Sequence, residues 1–279
     1  MWERRYGFPK PLRNAASVRL YSEQDIEHLL LIARALRSGY RPGEAIQLPA
    51  ADLREALAVS ADARQHASAE VPIVSSILSA LERDDVDSLR TELQTAAAVL
   101  GPERFVTHLA GPVVEEVGEA WASGRLEPRH EHLLVAVLSG QLRLLLSAYE
   151  RASAGPIIVL ATLPAEHHGL GLEMAALYLA LRGGRPRLLG TALPASQIVD
   201  AARALGARAV GISMSLSSEP DTAGRELEWM LRELASSTEL WVGGKGAALL
   251  AIGDQNLKLV AEWRQLDEAF LELAAGSVP

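Results

Sequence analysis

Glu166, His167 and His168 are followed by Gly169-Leu170-Gly171, at the point where an apolar strand hands over to a helix. An imidazole on such a loop is a candidate metal ligand, and a carboxylate two residues before it is close enough to orient the ring. Forty-one residues separate Gly171 from Ser213, and Gly243-Gly244 follow a later apolar run. Small residues at these points leave a slot for a flat group between strands and helices. A second set lies upstream, where Trp121 is followed by nine residues and then Glu131-His132. A third set is basic: Arg4, Arg5, Lys10, Arg13 and Arg19 stand against Glu3 alone in the first twenty residues. That much local positive charge can meet phosphates. Each set also has a plainer reading. Exposed histidines mostly bind nothing, a tryptophan near a helix end is more often core, and basic patches are often only solvated.

The elements that must position these residues fall into three segments of a 279-residue chain that is 49% hydrophobic and 22% charged. Residues 1–60 hold a basic stretch broken by Gly7, Pro9 and Pro11, an alternating Arg19-Leu20-Tyr21, and a helix in which Ile26, Leu29, Leu30, Ala33 and Leu36 recur at helical spacing. Residues 70–152 read as four amphipathic helices in an antiparallel bundle. The first runs through Ile73, Ile77 and Leu81. The second is closed by Gly101-Pro102, the third carries a kink at Gly111-Pro112, and the fourth runs from Pro128 to about Arg151. Residues 155–279 alternate strand and helix, which predicts a doubly wound parallel α/β sheet of Rossmann type. Its strands are Ile157–Leu160, Arg187–Gly190, Ala209–Ser213, Leu240–Gly244 and a weaker Leu257–Leu259. Its helices are Leu170–Arg182 and Ala195–Leu205. Ligands in such sheets sit at the carboxyl ends of the strands, so the loops after 160, 213 and 242 are the first places to look.

Composition removes several function classes. The chain has no cysteine, which excludes disulfide scaffolds, Cys-ligated zinc, iron–sulfur clusters and Cys nucleophiles. No Ser–His–Asp set, Walker loop or G-x-G-x-x-G follows a strand, so hydrolase, nucleotidase and dehydrogenase readings have no support. A net charge of −8 argues against nonspecific coating of nucleic acid, though the basic start permits a local contact. No apolar run approaches the ~20 residues of a membrane span and no export signal opens the chain. The expectation is a cytoplasmic protein with no membrane partner.

The Glu166, His168, Gly171, Ser213 and Gly243-Gly244 set resembles the cobalamin-binding domain of methionine synthase, the cobalamin mutases and the cobalamin-dependent regulators. Their signature is D-x-H-x-x-G, about 41 residues, S-x-L, then 26–28 residues and G-G. Here Glu166 replaces the Asp, and Ser215 stands where the pattern has Leu, with 27 residues between it and Gly243. The resemblance implies that His168 binds cobalt from the lower face. It also implies that Ser213, Ser215, Gly171, Gly243 and Gly244 line the slot for the displaced dimethylbenzimidazole tail. The W-x9-E-H spacing resembles the bundle of CarH/LitR-type cobalamin photoreceptors, in which Trp packs over the upper adenosyl group. This implies that Trp121, Glu131 and His132 reach that face. In light-sensing members a His that captures cobalt can follow the Trp; here that residue is Ala122.

Trp2-Glu3-Arg4-Arg5-Tyr6-Gly7, Pro9-Lys10-Pro11 and Arg19-Leu20-Tyr21-Ser22 resemble the MerR-type DNA-binding domain, where W-E-R-R-Y-G closes the recognition helix and R-L-Y belongs to the wing. Family members carry ~15–20 residues before this point. The chain as written is therefore expected to keep phosphate contacts through Arg4, Arg5, Lys10, Arg13 and Arg19 but little that reads bases. The whole is similar to a cobalamin-dependent regulator rather than an enzyme: a partial MerR-type segment at 1–60, a four-helix cobalamin cap at 70–152 and a cobalamin-binding domain at 155–279. Its implied cofactor is adenosylcobalamin and its implied partners are promoter DNA and further copies of itself. Two other readings stay open, a corrinoid methyltransferase subunit and a regulator that senses cobalamin without light.

Overall fold

The computed structural model describes residues 73–150, 154–250 and 256–276, with positions 12–13, 19–20, 28–29, 31–32, 49 and 52 before them. The chain divides into two compact units, Met1–Pro72 and Ile73–Pro279. In the first, β1 (Leu12–Arg13) pairs antiparallel with β2 (Arg19–Leu20), Leu12 opposite Leu20 and Arg13 opposite Arg19. This ladder stands where the wing is expected. Leu31 and Ile32 are buried and helical and Leu29 is half-buried, so a helix stands where expected, but the two buried residues are not among those of the predicted apolar spacing.

The second unit begins with four helices. They are α1 (Ile73–Glu82), α2 (Val86–Arg104), α3 (Gly111–Ala122) and α4 (Pro128–Glu150). Asp85 caps α2 by accepting the Ser88 N–H at 3.0 Å, which satisfies one of the donors a helix start leaves over. Gly101 leaves helical geometry at φ 73°, so the Gly-Pro pair bends the chain where the sequence predicts a stop. The kink expected at Gly111-Pro112 is not there. Gly111 is helical at φ −58°, and the irregularity is a π-helical turn over Phe105–Ala110 immediately before it. A proline has no N–H to give the preceding turn, and the wider turn followed by a fresh helix start absorbs that loss without a bend at the glycine.

Over Pro128–Tyr149 α4 is long and apolar enough to cross a membrane by length and composition, a correction to the sequence reading. Its Leu134, Leu138, Leu142 and Leu146, four residues apart, are buried in the bundle core, which accounts for much of its apolar character.

The remaining elements are β3 (Ile157–Ala161), α5 (Leu170–Leu181), β4 (Arg185–Gly190), α6 (Ala195–Leu205) and β5 (Ala209–Ser213). After them come α7 (Pro220–Glu233), β6 (Glu239–Gly243), β7 (Leu257–Leu259) and α8 (Trp263–Ala275). Helices α7 and α8 are elements that the apolar pattern does not single out. The five strands are parallel in the order β4-β3-β5-β6-β7, a flavodoxin-like arrangement whose switch point lies between β3 and β5.

Alternate side chains of each strand enter different cores. Ile158, Leu160 and Trp241 join one cluster with α5, α8 and the bundle, while Val159, Val210, Ile212, Leu240 and Val242 join a second with α6 and α7. Helix α5 lies between the sheet and α4 and is buried on most sides from Leu170 to Ala180. A helix in that position has to be apolar nearly all round.

Candidate functional site

The loop after β3 is fixed by one threonine. The buried Thr162 donates its hydroxyl to the Glu166 carbonyl at 2.5 Å and accepts the Ala192 N–H at 2.9 Å. This turns the Glu166 side chain inward, where it is 3% exposed. One carboxylate oxygen accepts the His168 N–H at 2.9 Å and faces His168 Nδ1 at 2.5 Å. The other accepts the Ser215 N–H at 2.8 Å and the Ser218 hydroxyl.

Burial pushes the Glu166 carboxyl up, but hydrogen bonds from Ser218, Ser215 and the His168 backbone outweigh it and bring the group down to about 2. An ionised carboxylate can only accept, so the proton between the two groups belongs on Nδ1 of His168. The free lone pair is then on Nε2, and the His168 side chain is 57% exposed. An imidazole held in one tautomer by a buried carboxylate and open to solvent is a preorganised ligand for a metal. Among the described residues no three acidic or imidazole side chains gather into a metal site of their own. A lone imidazole suits a metal that arrives already held by another group.

Beside this loop Gly171, Ser213, Gly243 and Gly244 line one cavity of about 280 Å³. Leu160, Gly211 and Trp241 of the sheet, Trp263 and Leu266 of α8, and Gly111 and Glu115 of α3 line it too. The glycines are required by close approach. A Cβ on Gly171 would stand 2.9 Å from the Ser213 hydroxyl, and one on Gly244, at φ 85°, would strike the Met214 carbonyl at 2.3 Å. The volume falls just below the ~300–1,000 Å³ of sites that enclose a drug-sized ligand. It suits the flat tail of a larger cofactor whose ring stays outside, so the residues present fit a corrinoid with its tail in the slot and His168 toward the metal.

Ser215 is elsewhere. It serves the Glu166–His168 pair through its backbone N–H and a hydroxyl 3.3 Å from Nδ1, and it does not line the cavity. The change from Leu to Ser in the S-x-L motif therefore adds hydroxyl character beside the histidine.

Trp121 is 49% exposed at the end of α3, so it is not the core residue that a tryptophan near a helix end usually is. Glu131 is half-buried and His132 exposed in the first turns of α4. Among the described residues no hydrogen bond or ion pair links these three to each other or to the His168 loop. The neighbouring His130 is buried instead; it accepts the Glu127 N–H at 2.9 Å, and its Nε2 lies 3.3 Å from Asp84. Arg13 and Arg19 are backbone partners in the β1–β2 register, while Arg4, Arg5 and Lys10 lie outside the described residues.

Sequence reasoning missed Thr162, Ser218, Glu115 and Lys245. No periodic signal marks any of them. Only the position of Lys245 directly after Gly243-Gly244 hints at a role.

Comparison with known proteins adds to this geometry. Residues 1–51 match the family described as MerR HTH family regulatory protein. Residues 74–146, the helical part of the second unit, match the family described as B12 binding domain. The chain is 33% identical over 255 residues to the HTH-type transcriptional repressor CarH of Myxococcus xanthus, covering 88% of this chain and 83% of the relative. It is 31% identical over 280 residues to the HTH-type transcriptional repressor CarA of the same organism, covering 96% and 91%. Among solved structures it resembles the monomethylamine corrinoid protein of Methanosarcina barkeri with a TM-score of 0.57. That match has 16% identity and covers 73% of this chain and 99% of the other, a likeness of fold.

Proposed function

Because the chain belongs to the family of the HTH-type transcriptional repressors CarH and CarA, and is thus a cobalamin-dependent regulator of MerR type, we propose that it is a light-responsive repressor loaded with adenosylcobalamin. In this reading residues 1–60 meet promoter DNA, 70–152 cap the cofactor and 155–279 hold it, in the cytoplasm and as a homo-oligomer. One observation carries the reading: His168 stands exposed with Nδ1 tied to the buried Glu166 and Nε2 free.

Bound adenosylcobalamin supplies a cobalt–carbon bond that green or blue light can break. The chain does the rest. His168 would offer Nε2 to the metal, and Glu166 fixes the proton on Nδ1 and the orientation of the ring. Gly171, Ser213, Gly243 and Gly244 leave room for the tail. Trp121, Glu131 and His132 would meet the adenosyl group, on which an indole with half its surface uncovered can stack. A group held by residues of both bundle and sheet would bias how the two pack, and its removal would lift that bias and weaken the DNA-bound state.

The test is the absorption spectrum and gel-filtration volume of protein mixed with adenosylcobalamin, in the dark and after green light. Retained cofactor, a light-dependent spectrum and a change of assembly are expected. His168→Ala should lose retention or give a bound form without a histidine ligand. Wild-type protein that passes cobalamin straight through the column overturns the reading. Ala122 after Trp121 favours a second reading, a regulator that senses cobalamin without light. In that case illumination changes the spectrum but leaves assembly and DNA binding unaltered.

A further inference from the structure

Among the described residues, three ion pairs join bundle helices to the sheet and the helices on it. Arg143 of α4 holds Glu173 of α5 at 2.7 Å, with the Glu173 side chain 10% exposed and also accepting from Ser139. Arg182, after α5, reaches Glu103 of α2 at 2.9 Å and also pairs with Asp267 of α8. The third pair is Lys245, directly after the Gly243-Gly244 turn, with Glu115 of α3 at 3.1 Å; these side chains are 61% and 54% exposed. Of the three, only this pair has both members lining the cavity of about 280 Å³.

Lys245 is also the sole basic side chain among the described residues that line the cavity, whose other charged residues are Glu115 and Glu262. An anionic group entering here therefore has one cation to meet and two acids to avoid. Exposed ion pairs contribute little and exchange partners readily. The nucleotide tail of cobalamin ends in a flat base, of the kind the slot suits, and carries a phosphodiester between that base and the corrin ring.

Building on the cobalamin reading, we infer that Lys245 recognises the phosphodiester of the nucleotide tail and that Glu115 competes with it for the same ammonium group. Lys245 is then a specificity residue, favouring corrinoids with a complete tail over those cut short. The Glu115–Lys245 pair also makes tail entry and α3 position mutually dependent, since the ammonium cannot serve both partners fully.

The experiment is a titration of the full chain with cobalamin and with cobinamide, which lacks the nucleotide tail, at low and high salt. Lys245→Met should weaken cobalamin binding about tenfold, flatten its salt dependence and leave cobinamide binding unchanged. Lys245→Arg should restore most of the loss. Glu115→Gln should tighten cobalamin a few-fold without affecting cobinamide. Both side chains are more than half exposed, so the thermal midpoints of these variants should match wild type and separate binding from folding. Equal effects on the two corrinoids, or none on either, overturn the assignment of Lys245 while cobalamin binding stands. Wild-type protein that binds neither corrinoid overturns the cobalamin reading itself, and this inference with it.

Discussion

Glu166 does at the residue scale what no exposed carboxylate could. Its carboxyl lies at about 2, against an ordinary value of 4.5, because hydrogen bonds from Ser218, Ser215 and the His168 backbone outweigh the upward push of burial. A lowered carboxyl stabilises the fold fully above its unfolded value, and that contribution drains away as pH falls toward the folded value. Glu166→Gln should therefore cost ~1–3 kcal/mol near neutrality. The gap between variant and wild type should hold steady above pH 5 and close between pH 4.5 and 2, as read by urea unfolding across that range. A gap that does not narrow would mean that these hydrogen bonds do not hold the Glu166 carboxyl ionised. Trp121 makes the opposite case. With the indole 49% exposed, Trp121→Ala should shift stability by no more than ~0.5 kcal/mol. It should nevertheless erase ~1–3 kcal/mol of preference for adenosylcobalamin over methylcobalamin, by analogy with base–aromatic stacking. A thermal melt beside competitive binding of the two cofactors reads both effects, and an unchanged preference would reduce Trp121 to a surface residue.

At the scale of elements, α5 is the hinge between two kinds of packing. It is apolar nearly all round because α4 covers one side and the sheet the other, and Glu173 is the one acid buried along it. Arg143 Nε and Nη2, at 2.9 and 2.7 Å, and the Ser139 hydroxyl at 2.8 Å hold that carboxylate from α4. Removing only the cation leaves a buried charge poorly paired, whereas removing both partners leaves an apolar contact. Arg143→Met should destabilise by ~1–3 kcal/mol, while Arg143→Met with Glu173→Leu should come within ~1 kcal/mol of wild type. Chemical denaturation of the two variants measures the difference. A double variant less stable than the single one would show that the pair itself holds α4 to α5.

On the scale of the whole second unit, one apolar cluster runs from Ile77 and Leu81 of α1 through Leu134, Leu138 and Leu142 of α4. It continues into Leu177 and Leu179 of α5 and on to Ile158, Leu160 and Trp241 of the sheet. Bundle and sheet share this core, so opening either exposes the other's surface. Native-state hydrogen exchange on the full chain should give the slowest amides of α4 and β3 the same opening free energy. Amides of α4 that exchange at a clearly lower free energy would show that the bundle opens independently. A shared core is also what lets a group bound between the two halves alter the packing of both.

Much of this was legible in the residues alone. Short apolar runs mark the strands of the sheet, and helical spacing marks the bundle, because run length and period follow from local backbone geometry and burial. The structure joins Glu166 to His168 and sets Gly171, Ser213, Gly243 and Gly244 around one cavity, since in a parallel sheet the loops at the carboxyl ends of neighbouring strands lie together. The partners of Glu166 were not legible. Ser215 and Ser218 reach it across 49 and 52 residues, and Lys245 meets Glu115 across the boundary between sheet and bundle. Such pairs depend on where loops and helices arrive after the crossovers are packed, and no local period encodes that. The sequence determined which side chains are brought to these loops. Only the tertiary structure decided that Glu166 is buried and ionised, that Trp121 is uncovered, and that a single lysine stands at the slot, because burial and partnership come from the packing of segments far apart in the chain.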